Sequence, residues 1–123
     1  MITGSVNANL EAIIQVVVGN ADSEQRQVEA VIDTGFSGYL TLPPALIALL
    51  HLAWLGREPG ILADGSVDLF DVYRASVMWE GQMRLIEIQD VNAEPLAGMA
   101  LLQGHSLQIA VVTGGAVIIA ALP

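Results

Sequence analysis

Cysteine and lysine are both missing from this 123-residue chain. Without cysteine there is no disulfide frame and no thiolate metal site, and the redox compartment stays open. Without lysine, the 4 basic residues are all arginine; they face 13 acidic ones, for a net charge of -9 and a pI near 4.2. Such a field repels nucleic-acid phosphates, and no basic stripe with interleaved aromatics offsets it. Nucleic acid is therefore excluded as a partner, and the acidity serves solubility. Long apolar runs are absent too. ALIALLHLAWL and AVIIAALP stop short of the roughly 18 residues a spanning helix needs, so no membrane partner is expected. Met1 is followed by Ile, Thr, Gly and Ser rather than by a basic and then apolar leader, and the expectation is a cytoplasmic protein.

What is present is apolar. Hydrophobic residues make up 54% of the chain and charged ones 14%, a surplus for a soluble monomer that points to surface covered by a partner. The length suits one domain, residues 1–123, with a proper core and no room for two lobes. Any two-part active site must then come from two chains.

Along the chain, LEAIIQVVV (10–18) reads as a strand closed by the polar turn GNADSEQ, with RQVEAVI (26–32) returning. GFSG bends the chain and YLTL is extended again. Pro43 and Pro44 open a short helix over ALIALLHL, whose apolar residues run nearly all round. After REPG, residues 61–79 read as a long hairpin around DGS. Glu80-Gly81 is a second turn, MRLIEI a strand and DVNAEP a loop. LAGMALLQG offers one or two helical turns ending at Gly104. SLQIAVV, the turn TGG and AVIIAAL close the chain as strands. The sum is a mostly antiparallel sheet structure folded on itself, with one or two short helices and no internal repeat.

One stretch breaks the apolar pattern. In EAVIDTGFSGYLTLP (29–43) a carboxylate, Asp33, ends an apolar strand and is followed by Thr34 and Gly35. A carboxylate at the edge of a core is costly enough that a protein avoids it or uses it. Asp-Thr-Gly in this position resembles the signature of aspartic peptidases. The order of features resembles the single-domain, retropepsin-like branch over nearly the whole chain: a hairpin before the motif, a glycine-tipped hairpin after it, and a late apolar-apolar-glycine segment, Leu96, Ala97 and Gly98, leading into a short helix. The resemblance implies a mainly β fold, a closed antiparallel β-barrel with one or two short helices, active as a homodimer.

It also implies roles. Asp33, Thr34 and Gly35 form the catalytic loop, and with a single Asp-Thr-Gly the second carboxylate is Asp33 of another copy across a two-fold axis. Thr34 bonds the facing loop, and Gly35 lets a peptide main chain approach. Phe36 and Ser37 adjoin the substrate, and Ala63, Asp64, Gly65 and Ser66 resemble the tip of a flap closing over it. Leu96, Ala97 and Gly98 support the motif. The substrate is a peptide or protein; no metal and no cofactor are implied. The terminal segments ITGSVN and AVIIAALP are candidates for a sheet shared between subunits, although AVIIAAL also reads as an ordinary core strand. Departures from the family matter: Phe36 stands where a small residue is common. Ser37 and Met99 stand where retroviral members carry a salt-bridged aspartate and arginine, so dimer stability falls to apolar contacts. An alternative from another class is a retropepsin-like dimerisation or peptide-binding module with weak or no turnover.

Other constellations are weaker. GFSGY lacks the second glycine of a serine-hydrolase elbow, and His51 and His105 are isolated. Asp64, Asp68 and Asp71 read as solvated hairpin charges, and Trp54, Tyr73 and Trp79 line a cleft or fill the core.

Overall fold

The computed structural model describes residues 1–22, 24–62 and 64–123. They are mainly β. The first strands are β1 (Ile2–Val6), β2 (Ala12–Gly19) and β3 (Gln25–Ile32). On β2, Ile14, Val16 and Val18 face the core, and Val28 and Ala30 meet them from β3. This is the period-2 pattern of a half-buried hairpin. β2 starts at Ala12 rather than Leu10 because the Asn7 side chain folds the preceding turn. Its Oδ1 accepts the amides of Asn9 (3.0 Å) and Glu11 (2.9 Å), and Leu10 takes a positive φ of 59°. At the other end Asn20 Oδ1 accepts the amides of Asp22 and Glu24 and so closes the β2–β3 turn.

β4 (Leu40–Leu42) leads through Pro43 into α1 (Pro44–Leu49). The helix is shorter than its apolar run and buries only Ile47 fully, while Leu49 is exposed. His51, at φ 51°, ends it. β5 (Ala53–Ile61) is a strand that the sequence reading lacked, and it runs straight through Arg57-Glu58-Pro59-Gly60. Proline is accepted there because, among the described residues, β5 pairs only with β6 and lies at the sheet edge. β6 (Val67–Trp79) and β7 (Gln82–Asp90) pair around the Glu80-Gly81 turn.

Then come β8 (Leu96–Ala97), α2 (Met99–Leu102), β9 (His105–Ile109) and β10 (Ala116–Ala121). β9 stops before the expected Val112. Ala110–Gly115 turns instead, with Gly114 at φ 80° and its amide on the Val6 carbonyl at 2.8 Å.

The sheet order is β5-β6-β7-β4-β8-β3-β2-β1-β10-β9, with a further β2–β6 pairing, so the ladder returns from β2 to β6. Among the described residues the pairings are mostly antiparallel, as expected, with two parallel exceptions, β3–β8 and β4–β7, so the sheet is mixed rather than purely antiparallel. The cause is β8: inserted between β3 and β4, it runs parallel to the first and antiparallel to the second. Inside lie Ile14, Leu40, Leu42, Val77, Ile88, Leu101, Val117 and Ile119, each essentially buried. Each contributes about 1.5–3 kcal/mol relative to exposure. Both terminal strands belong to this sheet: β1 lies between β2 and β10, and β10 between β1 and β9. AVIIAAL is thus a core strand of its own chain, with Val117 and Ile119 inside. Within the chain ITGSVN pairs with β10 over Ile2–Ser5 and with β2 at Ser5 and Val6. No helix of the described residues is long and apolar enough to cross a membrane.

Candidate functional site

Asp33 sits at the first position after β3, half-buried. Its backbone amide donates to the Ala97 carbonyl at 2.9 Å, its carbonyl accepts the Phe36 amide at 3.1 Å, and its Oδ1 accepts the Gly35 amide at 2.9 Å. The carboxylate therefore organises its own turn. Gly35 suits that turn by size, since a Cβ there would stand 3.2 Å from Asp33 Oδ1.

Residues 33–39 leave β3 and pass around β8 to reach β4. Three consecutive amides beyond β8 grip this loop: Gly98 donates to Tyr39 (2.9 Å), Met99 to Phe36 (2.8 Å) and Ala100 to Gly38 (3.1 Å), each at the carbonyl. Leu96, Ala97 and Gly98 are thus brought onto the Asp33 loop. Thr41, buried in β4, accepts the Leu96 amide on Oγ1 at 2.9 Å. The sequence reading did not single out this threonine; its signal was a hydroxyl inside an apolar strand. No buried side-chain polar atom is left unpartnered among the described residues.

A cleft of about 460 Å³ opens beside the motif. Gly35, Phe36 and Ser37 line one part and Pro59, Gly60, Ile61 and Phe70 of the β5–β6 hairpin another, joined by Gln89 of β7. The Phe70 ring lies so close over Gly60 that a Cβ there would be 2.7 Å from its Cδ2. Phe36 turns its ring onto Gly38 and Gly98. The cleft carries no charged side chain. Its hairpin residues and Gln89 were not foreseen, because their proximity to the motif depends on pairings across the sheet.

The hairpin tip stands apart from that cleft. Ala63 lies outside the described residues. Asp64, Gly65 and Ser66 are exposed and do not line the cleft. Gly65 takes φ 85°, and Ser66 donates its amide to Asp64 Oδ1 at 2.8 Å. The Ser66 hydroxyl and amide hold the Asp64 carboxyl below its usual range. Lower on the hairpin, Asp71 Oδ1 accepts both Trp54 Nε1 (3.1 Å) and Arg57 Nε (3.2 Å). Asp90 stands one step past the Val72–Gln89 pair, where it neighbours Asp71. Burial first, and then the Asp71 charge, raise its carboxyl above the ordinary value.

On the other side of the motif, Thr34 is exposed and lines a second concavity of about 390 Å³ with Met99, Leu102, Gly104, His105 and Leu107. Here His105 Nδ1 lies 3.0 Å from the Gln103 carbonyl and Nε2 accepts Trp79 Nε1 at 3.3 Å. Glu80 Oε1 is also 3.3 Å from Nε2. The Met1 amine, 2.6 Å from Glu80 Oε2, holds that carboxyl below its usual range, and His105 adds to the effect. Trp79 is buried, Tyr73 packs against the core and Trp54 is exposed. Among the described residues no three His, Asp or Glu side chains converge as metal ligands.

The chain matches no family model. It matches no curated protein at significant similarity either.

Proposed function

We propose that the chain is a homodimeric aspartic endopeptidase, with Asp33 of each copy forming one acid/base pair. The observation that carries the reading is the threading of β8 between β3 and β4. It ties the Asp33 loop to Ala97, Gly98, Met99 and Ala100 through four backbone hydrogen bonds beside an uncharged cleft. A retropepsin-like barrel accounts for that threading and for the ladder that returns from β2 to β6.

The chemistry follows from paired carboxylates. Two such groups about 3 Å apart do not both ionise, so they share one proton. The ionised oxygen takes a proton from a water held between them as that water attacks the scissile carbonyl. The protonated partner donates to the carbonyl oxygen, giving a neutral tetrahedral diol. Collapse then breaks the C–N bond, with a proton delivered to the leaving amine. No covalent intermediate forms. Gly35 leaves room for the substrate main chain, and the β5–β6 hairpin covers it.

The test is a peptide-library digest from about pH 4 to 7, the range over which such a shared proton is kept, run on the chain and on Asp33→Asn. Wild-type cleavage that falls about 10²-fold or more in the variant is expected. Undiminished cleavage by Asp33→Asn removes the mechanism. A dimer that binds peptides and never cuts them moves the assignment to a peptide-binding module.

A further inference from the structure

Asp33 and Thr34 reach the surface at one place, so any two-fold axis that pairs two Asp33 carboxylates buries what surrounds them. On one side lies the cleft with the hairpin, which a peptide must enter. On the other lies the concavity containing Thr34, Met99, Leu102, Gly104, His105 and Leu107. That second surface mixes Met99, Leu102 and Leu107 with the uncharged Thr34 and Gln103 and with His105; Met99 is 48% exposed, and Leu122, 58% exposed, donates its amide to the Gly104 carbonyl at its rim. No carboxylate or guanidinium lines it, although the chain carries a net charge of -9. Two such chains repel each other, and less where no charged side chain lines the contact.

The backbone agrees. β9 starts in this concavity at His105 and, among the described residues, pairs only with β10, leaving its outer edge open. β1 pairs with β10 over Ile2–Ser5 and with β2 at Ser5 and Val6, and β10 also pairs with β9 over Val117–Ala121, so trading either strand between copies would break pairings within the chain.

We propose, resting on the peptidase reading, that two copies associate through the face carrying Thr34, Met99, Leu107 and Leu122, with their β9 edges adjacent, and not through exchanged terminal strands. Pairing of β9 with its symmetry mate would join the two sheets into one and cover the open edge. Met99 stands next to Gly98, whose amide holds the Asp33 loop, so association and the geometry of the site are coupled through α2.

The experiment is sedimentation equilibrium of the wild type, Met99→Glu, Leu122→Glu and Leu85→Glu, each checked for fold by circular dichroism and assayed for cleavage across protein concentration. Leu85 is 74% exposed and lines a different concavity with Tyr39 and Leu55, so it reports on a competing apolar surface. The expected result is a dimer dissociation constant raised about tenfold or more by Met99→Glu and by Leu122→Glu, as for truncated interface anchors. Leu85→Glu leaves it unchanged. Cleavage by the two interface variants is lost at low concentration and recovered at high concentration. If Met99→Glu misfolds, Leu122→Glu carries the test. A wild type that stays monomeric at concentrations where it is assayed overturns the shared site and this interface together. A wild type that is dimeric and active, and that Met99→Glu and Leu122→Glu leave as tight, overturns the interface alone.

Discussion

The Phe36 ring and carbonyl occupy the space where a side chain on Gly98 would stand. A Cβ built on Gly98 lies 2.5 Å from Phe36 Cδ2 and 2.7 Å from its carbonyl oxygen, and it overlaps the Gly38 carbonyl oxygen as well. The glycine is required by contact and not by conformation, since its φ of -103° suits any residue. Backbone oxygens cannot swing away as a flexible side chain can. Gly98→Ala is therefore expected to cost about 2 kcal/mol or more in urea unfolding, the scale of overpacking a tight site. It also abolishes cleavage, because the displaced loop carries Asp33. A stable, fully active Gly98→Ala chain would show that this contact does not position the motif.

Phe36 both closes this packing and lines the cleft. Replacing it with alanine removes ring contacts with Gly38 and Gly98 and enlarges the space beside Gly35. The expected outcome is a loss of about 1 kcal/mol in stability. Cleavage preference shifts about tenfold toward bulkier side chains next to the scissile bond, with tighter binding of a statine peptide inhibitor. Library cleavage profiles before and after the substitution decide the matter; identical profiles would place the ring outside the substrate path.

Asp90 gives a pH prediction with a definite sign. Burial and Asp71 raise its carboxyl in the folded state, so folding favours the protonated form. The contribution to stability is fully present below the unfolded value and is lost as pH rises through the raised folded value. Asp90→Asn should thus be more stable than wild type at neutral pH by about 0.5 kcal/mol, the scale of cross-strand charge pairs. The gain disappears in acid. Thermal melts at several pH values measure the difference, and a gain that grows toward low pH contradicts it.

Trp79 and His105 make an optical reporter. The buried indole N–H donates to His105 Nε2 at 3.3 Å, and the two rings meet edge to face with 5.7 Å between centroids. In a Trp54→Phe background, Trp79 emission should therefore change when His105→Phe removes the acceptor. His105→Gln, which keeps an acceptor, should change it less. Equal emission from all three chains would show that residue 105 does not hold the indole.

Asp33, Thr34 and Gly35, the strand that ends in them, the turn at Glu80-Gly81 and the hairpin tip at Gly65 were all legible in the sequence. They rest on short-range physics: alternation with period 2, a side chain capping its own turn, and glycine where φ is positive. β5 was hidden because Pro59 and Gly60 read locally as a turn, and only an edge position makes them acceptable in a strand. β8 has two residues and so no period to detect. Its place between β3 and β4 depends on Leu96 and Ala97 fitting a gap that the rest of the sheet creates. The sequence by itself determined which carboxylate ends an apolar strand. Tertiary structure decided that Phe70 and Gln89 share a cleft with Gly35, Phe36 and Ser37 of the loop that follows it and that both terminal strands pair within the sheet, because pairing between distant segments is chosen by whole apolar faces closing on a common core.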